Sequence, residues 1–346
     1  MAPVAMEFER RGIEPRILIV GQSEDLLRQV LPIFPVYDGV VPVMLPSGHG
    51  SLSRLERVFC GAMEITGTDI RLRSPDVVLV HGDTATTHAA MLAAFYEEVP
   101  IAHVEAGLRS GRFDSPFPEE FHRVQVDRVS DFLFAPTAHA RDALLQEPHR
   151  GQVFVTGNTE LDAVRWLLER EEVSRICGDR PYVVVTAHRR ENQDDLDDIR
   201  EALTTLAAEA DGYDFVFPAH PTPKVQAMAK MLAGIENIRV VDPLPFDEFI
   251  PLVRHSRIVL TDSGGLQEDG AFLNVPVLIM RDTTERPEAI EAGSARLVGT
   301  ETDKIVDAVL ELIKDEEEWQ KMSSAPCPFG TGHAAELIVD RLEEDL

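Results

Sequence analysis

The segment IVLTDSGGLQEDGAF, residues 258–272, carries the clearest structural signal in the chain. Its apolar start predicts a buried strand, and Gly264 and Gly265 then predict a turn into a helix that contains Glu268 and Asp269. Glycines let the backbone come close to a phosphate, and the N-terminus of a helix attracts an anion. The segment is therefore typical of the strand–turn–helix unit of an open α/β sheet.

The same alternation of short apolar runs and helical segments extends in both directions along the chain. Strands are predicted in two series: 16–20, 76–80, 101–105, 132–135 and 153–156, then 182–187, 215–218, 238–241, 258–261, 277–280 and 296–298. Strands that alternate with helices form parallel sheets covered on both faces. We therefore predict an α/β protein with two Rossmann-like domains, residues 1–160 and 161–346, that face a cleft. The hinge is expected near residues 156–179, and the last helix, 333–346, could cross back to the first domain.

The composition excludes several classes of protein. The longest apolar runs have the size of strands, far short of the roughly 20 residues that a membrane helix needs. The opening residues, MAPVAMEFERR, lack the apolar region of a secretory signal. The cysteines Cys60, Cys177 and Cys327 are scattered, which indicates reduced thiols in a cytoplasmic protein and predicts neither disulfides nor a metal site.

The net charge of -27 is spread along the whole chain, and only five of the 33 basic residues are lysine. Such an acidic surface repels nucleic acids and anionic membranes, so neither is expected as a partner. Concentrated salt would screen the repulsion among so many carboxylates, which favours a halophilic cytoplasm. An ordinary acidic enzyme is the alternative.

Two strand ends in the first series carry acidic residues. VVLVHGDTATTH, residues 77–88, places Asp83 directly after a buried strand, where it could instead be the N-cap of the next helix. PIAHVEAGLRSG, residues 100–111, ends its strand with Glu105, and a carboxylate buried there is costly unless it has a partner or a use. Because functional groups of open α/β sheets lie where strands end, both residues are candidates for chemistry.

The loop SPFPEEFHR, residues 115–123, adds Glu119, Glu120 and Arg123 to the same domain. A proline followed by acidic residues is also a common start of a helix, because the helix dipole stabilises negative charge there. Together with the two strand ends, the loop predicts a cluster of carboxylates at one edge of one domain.

The second series has basic groups at its strand ends. VVVTAHRREN, residues 183–192, places His188 and two arginines after a strand, where they could bind phosphate oxygens. FVFPAHP, residues 215–221, repeats the pattern with His220. A lone histidine is more often structural, but two at equivalent strand ends favour a function.

The loop RDTTERPEAIEAG, residues 281–293, offers Arg281 and Arg286 after another strand, where they could clamp a diphosphate. The early strands are not followed by G-x-G-x-x-G, and the chain has no G-x-x-x-x-G-K-[ST]. Hydride transfer and ATP hydrolysis are therefore poorly supported.

The chain closely resembles the non-hydrolysing UDP-N-acetylglucosamine 2-epimerases in six strings, which follow in order: HGDTATT, HVEAGLRSG, SPFPEE, TAHRREN, LTDSGGLQE and RDTTERPEA. The resemblance covers essentially the whole chain. It implies a cytoplasmic isomerase with a glycosyltransferase-B-like pair of Rossmann domains and a UDP-sugar in the interdomain cleft. It also implies no metal, no cofactor and usually a homodimer.

The resemblance implies roles for particular residues. The family's acid/base carboxylates and its active-site histidine fall on Asp83, Glu105, Glu119 and His188. Its substrate contacts, with the candidates above, give a binding set of Arg123, His220, Phe249, Ser263, Gly264, Gly265, Asp269 and Arg286. Within this set Phe249 is on the uracil side, and Asp269 is at the ribose position, where the family usually has the longer Glu.

The implied reaction inverts C2 of UDP-N-acetylglucosamine (UDP-GlcNAc) and gives UDP-N-acetylmannosamine (UDP-ManNAc). The C2 proton is not next to a carbonyl, so departure of UDP from C1 must first make it removable. A glycal forms by elimination, and UDP adds back as the opposite face is protonated. This route needs carboxylates on both faces of C2 and cationic or acidic help for the diphosphate, which His188 and Arg286 could supply.

Other functions stay open. A UDP-2,3-diacetamido-uronic acid 2-epimerase would share most of the motifs, although residues 111–118 resemble the N-acetylglucosamine type better. A glycosyltransferase fits less well, because several carboxylates beside a sugar suit proton transfer. A non-catalytic UDP-sugar-binding protein would fit if the short N-terminus is genuine.

The resemblance also concerns the start of the chain. The family opens with a strand and a GTRPE-type loop whose arginine holds the diphosphate, followed by a Lys-Met-Ala-Pro helix. This sequence opens with Met1, Ala2 and Pro3, where that helix begins. We therefore expect that the first strand of the N-terminal domain is missing here and that the native protein is longer.

Overall fold

The computed structural model describes residues 1–20, 33–36, 40–43, 53–114, 116–170, 180–187 and 196–346. These residues form two compact units. The first contains Met1–Ala163 and Phe329–Leu346, and the second contains Val164–Pro328. Both hold parallel sheets with helices between the strands, which confirms the predicted α/β class with two Rossmann-like units.

Among its described residues, the first unit holds two parallel sheets. The strands are β1 (Ile17–Val20) paired with β2 (Val40–Val43), and then, in chain order, β3 (Val78–His81), β4 (Ile101–Val104), β5 (Phe132–Ala135) and β6 (Gln152–Val155). Every residue of β4 and β5 is buried, as in sheets covered on both faces. The sequence does not predict β2, because Pro42 has no N–H to donate and argues against a strand.

Six helices accompany these strands in the described part of the first half: α1 (Ala2–Arg10), α2 (Arg54–Arg73), α3 (Ala85–Tyr96), α4 (Glu119–Val129), α5 (Ala138–Leu145) and α6 (Thr159–Leu168). The N-cap of α3 is Thr84, whose Oγ1 accepts a hydrogen bond from the Thr87 N–H at 3.2 Å. The alternative in which Asp83 is this N-cap is therefore wrong, and its carboxylate is available for other contacts.

In the described part of the second unit, the strands form one six-stranded parallel sheet in the order β9-β8-β7-β10-β11-β12. Its strands are β7 (Tyr182–Thr186), β8 (Asp214–Pro218), β9 (Ile238–Val241), β10 (Ile258–Thr261), β11 (Val277–Ile279) and β12 (Ala295–Leu297). This is the order of a doubly wound Rossmann sheet, which reverses between its two central strands. Ligands of such sheets bind beyond the carboxyl ends of those strands, here β7 and β10.

The helices of the second unit are α7 (Leu196–Glu209), α8 (Pro223–Leu232), α9 (Phe246–Arg254), α10 (Gly265–Leu273), α11 (Pro287–Ala292), α12 (Thr302–Lys314) and α13 (Glu316–Ser323). One core joins them to the sheet, in which Leu203 of α7, Phe215 of β8 and Val309 of α12 are completely buried. Of the helices that the structure describes, none has the length and apolar character needed to cross a bilayer.

The last helix, α14 (Ala334–Asp345), packs within the first unit. Its Ile338 shares a core with Val4 of α1 and with the apolar side chains of β4 and β5. The carboxylate of Asp162 accepts hydrogen bonds from the first two backbone N–H groups of the helix at 3.0 and 2.8 Å. Counter-charge at a helix N-terminus is stabilising, so Asp162 holds this returning segment in place.

Candidate active site

Asp83 and Glu105 occupy neighbouring strand ends in the first unit. Strands β3 and β4 are paired in parallel, so both residues emerge at the same edge of the sheet. The N–H of Gly82 donates to the Val104 carbonyl at 3.0 Å, which joins the two turns. The Glu105 carboxylate lies over Gly82, where an added Cβ would be 3.0 Å from its Oε2. The structure thus brings these two acidic turns into contact.

The backbone of both turns is unusual. Gly82 has a φ of 65° and Glu105 has a φ of 67°, in the left-handed region that a residue with a Cβ rarely adopts. For a residue such as Glu105, this conformation costs on the order of 1–3 kcal/mol and persists only where the surrounding structure enforces it. Such residues cluster at active sites, so the strain points to a functional role for Glu105.

Arg123 of α4 links the acidic groups to one another. Its Nη2 donates to Oδ2 of Asp83, and its Nη1 lies 3.5 Å from Oε2 of Glu120. The buried Glu120 carboxylate accepts hydrogen bonds from the N–H groups of Ser110 at 3.0 Å and Gly111 at 2.9 Å. Glu120 therefore fastens the loop after β4 to the start of α4. Arg123, which the sequence offers as a substrate contact, lies against the Asp83 carboxylate.

Glu119 is the first residue of α4, and its Oε2 is buried. This atom accepts no hydrogen bond from any residue that the structure describes. Leaving a buried acceptor unsatisfied costs about 1–3 kcal/mol, so such an atom calls for a functional explanation. Burial lowers the pKa of His122, and the negative charges of Glu119 and Asp83 oppose that shift. The three side chains therefore lie within electrostatic range of one another.

His88 and His122 form a pair beside these carboxylates that the sequence does not predict. Their Nδ1 atoms are 3.0 Å apart, so one must donate and the other accept, and at least one ring is neutral. Burial and the neighbouring His122 lower the pKa of His88 to about 4. Phe59 and Phe121 pack against His88 with ring centroids 5.3 and 5.7 Å away. In the sequence, His88 ends the segment that contains Asp83, and His122 lies two positions after Glu120. Neither position predicts that the two rings meet.

In the second unit, the glycine turn lies at the point where the sheet order reverses. Asp262, Ser263 and Gly264 connect β10 to α10, which begins at Gly265. The Ser263 N–H donates to Oγ1 of Thr261 at 2.9 Å, and this hydroxyl lies 2.6 Å from that of Thr186 at the end of β7. The turn is thereby tied to both central strands.

Arg286 lies directly over this turn. A Cβ added to Gly264 would be 2.5 Å from Nη1 of Arg286, so glycine leaves the room that the guanidinium occupies. Arg286 Nε donates to Glu268 Oε1, and its Nη1 donates to Glu285 Oε1 at 3.1 Å. Burial would raise the pKa of Glu285, but the charges of Arg281 and Arg286 outweigh it and lower the pKa to about 2. Paired charges therefore hold the guanidinium beside the turn.

The other predicted substrate contacts have different surroundings. Asp269 is buried in the first turns of α10, and Phe249 is half-buried in the first turn of α9. His220 follows β8 and is exposed, and its Nδ1 accepts a hydrogen bond from the Thr222 N–H at 3.4 Å. His188 lies outside the described residues. Across the described ranges, no group of three or more His, Cys, Asp or Glu side chains could hold a metal ion.

The similarity to known proteins extends over nearly the whole chain. The family model described as UDP-N-acetylglucosamine 2-epimerase matches residues 6–343. The chain is 39% identical, over 364 residues, to the UDP-N-acetylglucosamine 2-epimerase of Escherichia coli K12, an alignment that covers 100% of this chain and 95% of that protein.

Solved structures are similar over the same length. The UDP-GlcNAc 2-epimerase from Neisseria meningitidis bound to UDP-GlcNAc has a TM-score of 0.90 and 36% identity, and the match covers 100% of this chain and 96% of that one. The enzyme from Methanocaldococcus jannaschii in complex with UDP-GlcNAc and UDP has a TM-score of 0.80 and 30% identity, with 99% and 95% covered. Because sequence and fold agree along the whole chain, this protein belongs to the UDP-N-acetylglucosamine 2-epimerase family.

Proposed function

We propose that this protein is an isomerase that interconverts UDP-GlcNAc and UDP-ManNAc by elimination and re-addition of UDP. The observation that carries the proposal is the acidic group of the first unit, with Asp83 and Glu105 at neighbouring strand ends and Glu119 at the start of α4. The relatives named UDP-N-acetylglucosamine 2-epimerase, one of them solved with UDP-GlcNAc, support the substrate class.

The acidic group supplies the proton transfers in this mechanism. As UDP leaves C1, one carboxylate takes the C2 proton, and another carboxylate protonates the opposite face when UDP returns. The buried Glu119 Oε2, which receives no hydrogen bond from the described residues, supports Glu119 as one of these groups. Positioned general acids and bases contribute about 10²- to 10⁴-fold to a rate, so each carboxylate should matter strongly.

The second unit supplies the proposed UDP contacts. The turn at Ser263, Gly264 and Gly265 would meet the phosphates, with the backbone N–H groups of Gly264 and Gly265 at a helix N-terminus. Arg286, which lies over Gly264, would add positive charge. We assign the remaining contacts as in the family: Phe249 to uracil, Asp269 to ribose, His220 and Arg123 to substrate binding, and His188 to the departing diphosphate.

The setting is part of the proposal. We propose a halophilic cytoplasm, a homodimer, and no metal, cofactor, nucleic acid or membrane as partner. The net charge of -27, with five lysines, supports the salt-rich setting. Ionic strength near 1 M shortens the Debye length to about 3 Å, which would screen repulsion between neighbouring carboxylates.

Solvent exchange tests the reaction. The protein is incubated with UDP-GlcNAc in heavy water with concentrated KCl, and the sugars are analysed by proton NMR and mass spectrometry. We expect UDP-ManNAc to appear and one deuterium to enter at C2 of both sugars, because the proton removed from C2 exchanges with solvent before it returns. A transient release of UDP is also expected, since elimination precedes re-addition.

Other outcomes of this experiment would indicate a different substrate, a binding function or a different route. Turnover of a UDP-2,3-diacetamido-uronic acid, without turnover of UDP-GlcNAc, would identify the other epimerase. Tight binding of UDP with no deuterium at C2 would indicate a non-catalytic UDP-sugar-binding protein. Epimerisation without solvent deuterium at C2 would contradict the elimination route itself.

A further inference from the structure

A buried network of charged side chains lies beneath the turns that carry Asp83 and Glu105. His103 of β4 is 0% exposed and Asp127 of α4 is 1% exposed. The Nδ1 atom of His103 is 2.6 Å from Oδ1 of Asp127, and its Nε2 is 2.8 Å from the backbone oxygen of Gly82. One imidazole therefore connects a helix to the residue that precedes Asp83.

Asp127 extends the network to the loop after β4. Its Oδ2 accepts hydrogen bonds from the Gly107 N–H at 3.2 Å and from Nη1 of Arg109 at 2.7 Å. Arg109 also donates through Nε and Nη2 to both carboxylate oxygens of Glu147, at 3.1 and 3.0 Å. Buried charges are stable only when paired and hydrogen-bonded, and each charge of this network has such a partner.

The acceptors determine where the protons are. A backbone carbonyl can only accept, so Nε2 of His103 carries a hydrogen and donates it to Gly82. Burial would raise the pKa of Asp127, but the charges and hydrogen bonds of His103 and Arg109 outweigh it and lower the pKa, so the carboxylate is ionised. The His103 Nδ1 faces this carboxylate, so the ring is held at both nitrogens.

The network holds backbone atoms in both of the turns that carry Asp83 and Glu105. The His103 ring holds the carbonyl of Gly82, which precedes Asp83, and the Asp127 carboxylate holds the N–H of Gly107, two residues after Glu105. Gly107 has a φ of 89° and packs so closely that an added Cβ would be 2.3 Å from a backbone oxygen. The strained backbone at Glu105 thus lies between two anchored points, as such strain requires.

We propose that His103, Asp127 and Arg109 are positioning residues that orient Asp83 and Glu105 for epimerisation without touching the sugar. The inference rests on the proposed function, since it gives the orientation of those carboxylates a purpose. If the network were purely structural, breaking it would lower the stability of the fold but leave turnover by the folded protein unchanged. A positioning network lowers turnover by protein that is still folded, because a displacement of about 1 Å can cost about 100-fold.

The variant Asp127→Asn breaks the network with little change in shape, and Asp131→Asn is its matched control. Asp131 also accepts a hydrogen bond from a backbone N–H, that of Ile101 at 2.9 Å, and pairs with Arg150. It does so at the opposite end of β4, away from the acidic turns. For both variants we would measure kcat and KM for UDP-GlcNAc, the Kd for UDP by calorimetry, and the Tm.

We expect Asp127→Asn to lower kcat by about 10- to 100-fold with little change in KM or in the Kd for UDP. Asp131→Asn should lower the Tm and keep the kcat of the wild type. Arg109→Lys keeps the charge but loses the forked contact with Glu147, so it should disturb folding less than Asp127→Asn. It replaces Asp127→Asn in the test if that variant does not fold. It should also lower kcat at constant KM.

Wild-type kcat in folded Asp127→Asn, or in Arg109→Lys where only that variant folds, would overturn the positioning role and leave the epimerase proposal intact. A similar loss of kcat in Asp131→Asn would also overturn it, because the effect would then follow general destabilisation. A wild-type protein without activity on UDP-GlcNAc would overturn the proposed function, and this inference with it.

Discussion

Replacing Gly264 with alanine changes the proposed UDP site mainly through a steric contact with Arg286. Gly264 has a φ of -70° and a ψ of -49°, which any residue adopts, so alanine adds no backbone strain. The added Cβ would lie 2.5 Å from Nη1 and 2.9 Å from Cζ of Arg286. Non-bonded atoms prefer separations of about 3.5–4.0 Å, so the guanidinium must move by roughly 1 Å.

The movement should affect binding more than folding. The added Cβ meets the end of a side chain rather than backbone or core atoms, so the Tm should change less than the affinity for UDP. A hydrogen bond to a charged group contributes about 1.5–3 kcal/mol, and about 1.4 kcal/mol corresponds to tenfold in affinity. If Arg286 binds the diphosphate, Gly264→Ala should raise the Kd for UDP by about 10- to 100-fold.

Calorimetric titration with UDP measures this effect, and Gly67→Ala is the control. A Cβ at Gly67 would be 3.4 Å from the end of the Arg71 side chain, close to an ordinary contact, and alanine favours the helix. Arg286→Ala completes a double-mutant cycle, because without the guanidinium Gly264→Ala should add little. Unchanged UDP affinity in Gly264→Ala, or fully additive losses in the double variant, would refute the steric reasoning.

Three other predictions concern catalysis, acid and salt. Asp83→Asn and Glu119→Gln should each lower turnover at least about 100-fold. Asp114→Asn, at an exposed carboxylate, is the control and should not lower it. A near-normal rate in either of the first two variants would remove that carboxylate from the mechanism. The pKa of Glu285 is lowered from 4.5 to about 2, so its ionised form stabilises the fold above about pH 4.5 and that contribution is lost as the pH falls towards 2. The difference in urea stability between wild type and Glu285→Gln should therefore shrink over this range, and a constant difference would contradict the assignment. Because the net charge is -27, the Tm should rise with KCl; a falling Tm would argue against the halophilic setting.

The sequence predicts the places of Asp83, Glu105 and the Gly264 turn because local features determine them. Each follows an apolar run of strand length, and parallel strands in one sheet end at the same edge. Which strands are neighbours follows from the order of short βα connections. No long-range information is needed to expect acidic groups at one edge and a glycine turn at another.

The partners of these groups could not be predicted in the same way. Arg123 reaches Asp83 across 40 positions of sequence, and that contact depends on how α4 packs against the sheet. His103 lies in the apolar run IAHV and Asp127 lies in a helix 24 positions later, so only their shared burial reveals a network. The sequence offers one hint of this network, the polar His103 inside an apolar strand, since such a residue needs a buried partner.

These partners also explain how an excess of acid can coexist with fixed functional groups. Screening by salt weakens the repulsion between carboxylates, but it has no direction and cannot orient a side chain. The planar guanidinium of arginine does give direction, because it donates two hydrogen bonds in a fixed geometry. Arg109 uses this fork on Glu147, and Arg286 divides it between Glu268 and Glu285. At these two arginines, positive charge therefore orients acidic side chains as well as neutralising them.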